Sequence, residues 1–188
     1  MLYDRCSPAF VASLRIDPGL STLAHKPERE HQLLLNIARQ PAATLALACT
    51  PRGEIVGELT IAPADSWWSG LHNLYEMGLD VSASWRRMGI AQRLLQFAFA
   101  GLPVEKMILL AIGLSWHWDT EGTGVDARRY RSLMAQKLAR YGFIEYFTSE
   151  PNILMDPANI LLARIGRHVD QETISAFFNR LLGDYTSL

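Results

Sequence analysis

The run from Leu74 to Ala91 constrains this chain more than any other stretch. Leu74 to Val81 reads as a strand, and a short loop carrying Arg86 and Arg87 follows it. From Gly89 to Ala100 the apolar residues Ile90, Leu94, Phe97 and Ala98 fall at the spacing of one helix face. The first N–H groups of a helix have no partner within it, and its aligned peptide dipoles add partial positive charge there. The two arginines add whole charges. Gly89 has no side chain, so a phosphate can approach the backbone closely. A phosphate or pyrophosphate is therefore the ligand expected over Arg86, Arg87, Met88, Gly89, Ile90 and Ala91.

The rest of the chain supplies the frame for such a unit. Pro27 suits a first helical turn, and Leu33, Leu34 and Ile37 predict a helix over 27–39 that stops before Pro41. Thr44 to Cys49 and Ile55 to Ile61 read as two strands joined by the turn Pro51-Arg52-Gly53-Glu54, hence a hairpin. Met107 to Ile112 is a continuous apolar run, typical of a strand buried on both faces. Leu114 to Gly124 reads as a loop. A helix is expected over 126–141, with Asp126 as its cap and Gly142 as its stop. Phe143 to Thr148 is a further strand candidate. Pro157 to Ile165 reads as a short helix ended by Gly166. Asp170 caps a last helix with Ile174, Phe177, Phe178, Leu181 and Leu182 inward. Residues 9–16 fit a first strand or a helix. Strand pairs followed by strand–helix–strand units imply a mixed α/β fold. A chain of 188 residues suits one domain over 1–188 with a C-terminal amphipathic helix. The strand 107–112, rather than 143–148, is expected to be the one that splays from the strand carrying the basic loop.

Charge narrows the function classes. Eighteen basic and 19 acidic side chains leave a net charge of -1, which argues against a general nucleic-acid or anionic-membrane binder. Cys6 and Cys49 have no metal-ligand spacing and make no disulfide framework, so a cytoplasmic location is expected. The five histidines, at 25, 31, 72, 117 and 168, show no metal-ligand spacing either, and no metal is expected. No apolar run reaches transmembrane length.

Arg86-Arg87-Met88-Gly89-Ile90-Ala91 resembles the Arg/Gln-x-x-Gly-x-Gly/Ala pyrophosphate loop of the GNAT acetyltransferases. Downstream, Trp116-His117-Trp118-Asp119, Tyr130-Arg131, Pro157-Ala158-Asn159 and Ala163-Arg164-Ile165-Gly166-Arg167 follow one another as in the acetoin-utilisation acetyltransferases of that superfamily. The likeness runs from about residue 25 to the C-terminal helix. It implies the GNAT acyl-CoA N-acyltransferase fold, with acetyl-CoA as acyl donor. It further implies a lysine of an acetyl-CoA or acyl-CoA synthetase as acceptor, and a monomer or homodimer. A small-amine acetyltransferase and a CoA-binding regulatory protein without catalysis are the alternatives.

Acetyl transfer needs a neutral amine, a donor for the tetrahedral oxyanion and a tolerable leaving group. In GNAT enzymes a carboxylate on the strand before the loop often takes the proton. Glu76 is the expected base, with a pKa raised by burial, and Asp80 is the second candidate. Counting back from the loop, the superfamily's position falls on Tyr75, so a β-bulge near Gly78 is needed to bring Glu76 to the site. The backbone of Leu79, Asp80 and Val81 is expected to meet the pantetheine arm. Many relatives carry a tyrosine four residues before the glycine of the next-to-last helix. Here that count reaches Leu162, and no general acid is assigned. His117 is a candidate proton relay, and Asn159 a helix cap or a CoA ligand. Trp67, Trp68, Trp116 and Trp118 sit in two loops and are candidate anchors for a protein acceptor.

Overall fold

The computed structural model describes residues 1–20, 26–64 and 66–183. The chain forms two compact units, one of Met1–Ala62 and Met77–Leu102, the other of Pro63–Glu76 and the chain from Pro103 onward. His25 lies outside the described residues.

The first unit contains β1 (Leu2–Tyr3), α1 (Pro8–Ala12), β2 (Arg15–Ile16), α2 (Pro27–Ala38), β3 (Thr44–Cys49), β4 (Glu54–Pro63), most of β5 (Leu74–Val81) and α3 (Ile90–Gly101). Strands β3 and β4 form the expected hairpin, antiparallel from Thr44↔Ile61 to Cys49↔Ile55, with a shift between Ala48 and Cys49. All six residues of β3 are buried. β1 pairs antiparallel with β3, and β2 parallel with β4. Residues 9–16 therefore resolve into both alternatives, a helix and then a two-residue strand. The Ser7 hydroxyl caps α1 by accepting from the Phe10 N–H at 3.2 Å. Val11, Leu34, Leu45, Leu47 and Ile55 pack in one core. A Cβ at Gly57 would come 2.9 Å from Ile90 Cγ2, so this glycine lets the start of α3 lie close against β4.

The second unit contains the start of β5, β6 (Ile108–Gly113), α4 (Thr120–Thr123), α5 (Ala127–Ala139), β7 (Ile144–Glu145), α6 (Pro151–Leu154), β8 (Ile160–Ile165) and α7 (Gln171–Leu181). Its strands run in the order β5-β6-β8-β7. β5 and β6 are parallel through Leu74↔Ile108, Tyr75↔Leu109 and Glu76↔Leu110, which puts the strand of the run beginning at 107 beside the start of β5. The core includes Trp68, Ile108, Leu110, Leu161, Phe177 and Leu181.

Several expectations change here. Residues 157–165 are not a helix: Ile160–Ile165 is a strand, antiparallel to β6 over six pairs from Gly113↔Ile160 to Ile108↔Ile165. Four of its six residues are buried, because β6 and β7 flank it. A continuous apolar run has no period, and its sheet position decides its form. The tyrosine count that ended at Leu162 falls with that helix. The strand expected over 143–148 shrinks to Ile144–Glu145, although Tyr146 N–H still donates to Leu161 O at 3.0 Å. The loop 114–124 holds a 3-10 turn at Ser115–His117 and the short helix α4. Both capped helices stand as read: the Asp126 carboxylate accepts from Arg129 N–H at 2.9 Å, and Asp170 from Thr173 N–H at 2.8 Å. On α7, Phe177 and Leu181 are buried, but Phe178 and Leu182 are exposed.

Candidate active site

The loop after β5 lies wholly in the first unit. A 3-10 turn, Ala83–Trp85, leads from β5 into Arg86, which is extended. Arg87 and Gly89 both have positive φ, 66° and 77°. Gly89 is the N-cap of α3, and its carbonyl accepts from Arg93 N–H at 3.0 Å. A Cβ at Gly89 would meet no atom within 4 Å, so the backbone there is open on that side. Arg87, Met88 and Gly89 are exposed. The loop thus offers backbone N–H groups, an exposed guanidinium and a helix N-terminus, the donor set a pyrophosphate needs.

Arg86 is half-buried. Its guanidinium folds back: Nε donates to Val81 O at 3.0 Å, and Nη2 lies 3.9 Å from the Asp80 carboxylate. Asp80 is buried and also accepts from the Val81 N–H at 2.8 Å. Behind it, Glu58 on β4 and Glu30 on α2 are fully buried. Burial, followed by the nearby charges of Glu30 and Asp80, pushes the Glu58 carboxyl well above the ordinary range. These acids stand 28 and 22 positions apart in the sequence, and only the packing of α2, β4 and β5 reveals them as a group.

Glu76, expected to be buried, is exposed; the buried carboxylate of the strand is Asp80. Leu74, Tyr75 and Glu76 keep a regular ladder with β6, which puts Tyr75 and Glu76 on opposite faces. At Gly78 the N–H donates to the Thr60 hydroxyl at 3.2 Å.

In the second unit, the end of β6 opens into the turn that carries Trp116, His117 and Trp118. Ser115 anchors it: its N–H donates to Asn159 Oδ1 at 2.6 Å and its hydroxyl to Asp156 at 2.8 Å. Asn159 is buried. Its Nδ2 donates to Asn152 O at 2.6 Å, and its carbonyl accepts from Arg131 Nε at 3.2 Å. It therefore caps no helix; it ties the turn to the segment before β8. Trp118 stacks on Tyr130 with ring centres 5.4 Å apart, and the Asp119 carboxylate caps α4. His117 is half-buried, edge-on to the exposed Trp116. Trp68 is not a surface anchor, and Trp67 is half-buried. Trp68 is buried against Phe177, and Trp67 Nε1 donates to Arg180 O at 3.1 Å.

The chain is similar to known proteins in sequence and in fold. The acetyltransferase (GNAT) family matches residues 9–106. The acetoin utilization protein AcuA of Bacillus licheniformis is 34% identical over 155 residues, 80% of this chain and 73% of that protein. AcuA of Bacillus subtilis is 32% identical over 176 residues, 91% of this chain and 83% of that protein. The crystal structure of an acetoin utilization protein from Exiguobacterium sibiricum superposes with a TM-score of 0.90 at 28% identity, over 96% of this chain and 87% of that one. A phosphinothricin acetyltransferase from Sinorhizobium meliloti, solved in complex with AcCoA, shares the fold alone, with a TM-score of 0.55 at 16% identity over 88% of each chain. This chain belongs to the GNAT acetyltransferase family, within it to the group of the acetoin utilization proteins AcuA, and it is an acyltransferase.

Proposed function

We propose that this enzyme transfers the acetyl group of acetyl-CoA to a lysine of a protein, an acyl-CoA synthetase such as acetyl-CoA synthetase. One observation carries the donor assignment: an exposed left-handed Gly89 caps a twelve-residue helix beside the exposed Arg87. The protein acceptor follows from the likeness to AcuA and from the resemblance over residues 116–167. The likeness to AcuA of Bacillus subtilis spans 91% of this chain, which supports one catalytic domain over 1–188. Cys6 and Cys49 are both buried free thiols, which suits the reducing cytoplasm.

Each residue has a stated task. The N–H groups of Arg87 to Ala91 and the Arg87 guanidinium hold the pyrophosphate. Arg86 holds the end of β5 and the Asp80 carboxylate in place. A backbone N–H within Leu79–Val81 donates to the oxyanion as the amine attacks the thioester. Glu76, exposed to solvent, takes the proton from the lysine ammonium before attack. His117 relays it outward. The CoA sulfur departs as a thiolate, a tolerable leaving group at a pKa of about 8.5.

Glu76→Gln tests the base. Turnover should fall about 10²- to 10⁴-fold near pH 7, with acetyl-CoA affinity nearly intact. Full turnover in that variant would move the role to Tyr75, Asp80 or solvent, and Tyr75→Phe and Asp80→Asn would then tell these apart. The acceptor class is tested by competition: the synthetase should show a higher kcat/KM than free lysine, spermidine or an aminoglycoside, and the reverse order would refute a protein acceptor.

A further inference from the structure

The geometry points to Asp17 as the positioning residue of the cofactor loop, a side chain that touches no substrate yet sets where Arg86–Ala91 stands. The inference rests on the reading of that loop as the acetyl-CoA site.

Asp17 follows β2 directly, and its N–H donates to Ile55 O at 3.0 Å, which fixes it to β4. Its carboxylate then gathers three donors. Oδ1 accepts from Gly19 N–H at 3.0 Å and from the Ser82 hydroxyl at 2.6 Å, and Oδ2 accepts from Trp85 Nε1 at 3.3 Å. Ser82 is fully buried, and its own N–H donates to Val56 O at 3.0 Å. Ser82 and Trp85 stand at the two ends of the turn that delivers Arg86, so one carboxylate grips that turn from both sides. Gly19 closes the clamp: its carbonyl accepts from Ala83 N–H at 3.2 Å. A Cβ on Gly19 would lie 2.6 Å from the Ser82 hydroxyl oxygen, so no larger residue fits there without moving the turn.

Nothing in the chain order announces this. Asp17 is 65 positions from Ser82 and 68 from Trp85. Hydrogen bonds to a charged acceptor are among the stronger ones, and three on one carboxylate hold two backbone segments in one arrangement. A phosphate-binding loop depends on that arrangement, because its N–H groups act only when they converge on one point.

Four variants test the clamp: Asp17→Ala, Asp17→Asn, Trp85→Phe and Gly89→Glu. Isothermal titration with acetyl-CoA gives the affinity of each, and turnover at saturating acetyl-CoA gives kcat. Asp17→Ala should weaken acetyl-CoA about tenfold with kcat held within about twofold. Asp17→Asn keeps an acceptor oxygen for Ser82 and should recover part of the loss. Trp85→Phe, which leaves Asp17 in place, should weaken acetyl-CoA a few-fold, and adding it to Asp17→Ala should bring no further loss. If Asp17→Ala melts like the wild type and binds acetyl-CoA equally well, the positioning role is wrong. If Asp17→Ala does not fold, Trp85→Phe decides alone, and unchanged affinity in it overturns the proposal. If the wild type and Gly89→Glu bind acetyl-CoA alike, the loop reading itself fails and the clamp falls with it.

Discussion

Glu58 sits where a charged carboxylate is costly. It is fully buried on β4, beside the equally buried Glu30 of α2. Burial and the charges of Glu30 and Asp80 keep its proton on well above the usual pH. From the ordinary 4.5 up to that raised value, the folded protein holds a proton that the unfolded chain has lost. The contribution of Glu58 to stability is therefore greatest below 4.5 and is lost as pH rises through that window. Glu58→Leu should melt higher than the wild type at pH 8, by about 1–2 kcal/mol, with a smaller gain at pH 5. An equal gain at both pH values would contradict a neutral buried acid. Glu105 behaves in the opposite sense. The Arg167 N–H, the Arg167 side chain and Arg164 hold its carboxyl down at about 2. Its stabilisation is present above 4.5 and is lost as pH falls toward 2. Melting curves of Glu105→Gln should accordingly be flatter than the wild type between pH 4.5 and 2.

Gly113 shows how tightly the elements of the second unit meet. A Cβ there would lie 2.8 Å from Ile160 Cγ2, 2.9 Å from Met134 Sδ and 3.0 Å from Trp118 Cζ2. β6, β8, α5 and the Trp118 turn converge on one glycine. Gly113→Val should cost about 1–3 kcal/mol by overpacking, read as a lower melting temperature. A variant as stable as the wild type would show that the turn yields freely. The elements that local sequence encodes were legible in advance. Asp126 and Asp170 announce two helices because a capping carboxylate acts on the N–H three residues on. The β3–β4 hairpin and α3 follow from their own periods and turns. β8 was not legible: Ile160–Ile165 is apolar at nearly every position, and Pro157 before it imitates a helix start. The site divides in the same way. The loop Arg86–Ala91 is one contiguous segment and reads directly. Asp17 reaches the turn after β5, and Glu58, with Glu30 beside it, lies near Asp80, all from distant positions that no local pattern marks. Trp67 and Trp68 look like interface anchors in a loop, yet α7 covers Trp68 through Phe177, a contact only the fold makes.

For the whole molecule, the expectation is an enzyme stabilised by its acyl donor and committed to a protein acceptor. No helix among the described residues is long and apolar enough to cross a membrane. Acetyl-CoA at 100 times its dissociation constant should stabilise the fold by about 2.7 kcal/mol, a rise in melting temperature of about 5–10 °C for a chain of this size. Gly89→Glu should abolish that rise by setting bulk and negative charge against the phosphates, and a normal rise in that variant would displace the cofactor from the loop. The most direct measurement follows the CoA thiol released from acetyl-CoA, with and without purified acetyl-CoA synthetase, alongside mass spectrometry of the synthetase. The account predicts thiol release that depends on the synthetase, matched one for one by acetyl-lysine on it, and strongly reduced in Glu76→Gln and Gly89→Glu. Thiol release that is independent of any protein acceptor, or a synthetase left unmodified while a free amine is acetylated, would contradict it.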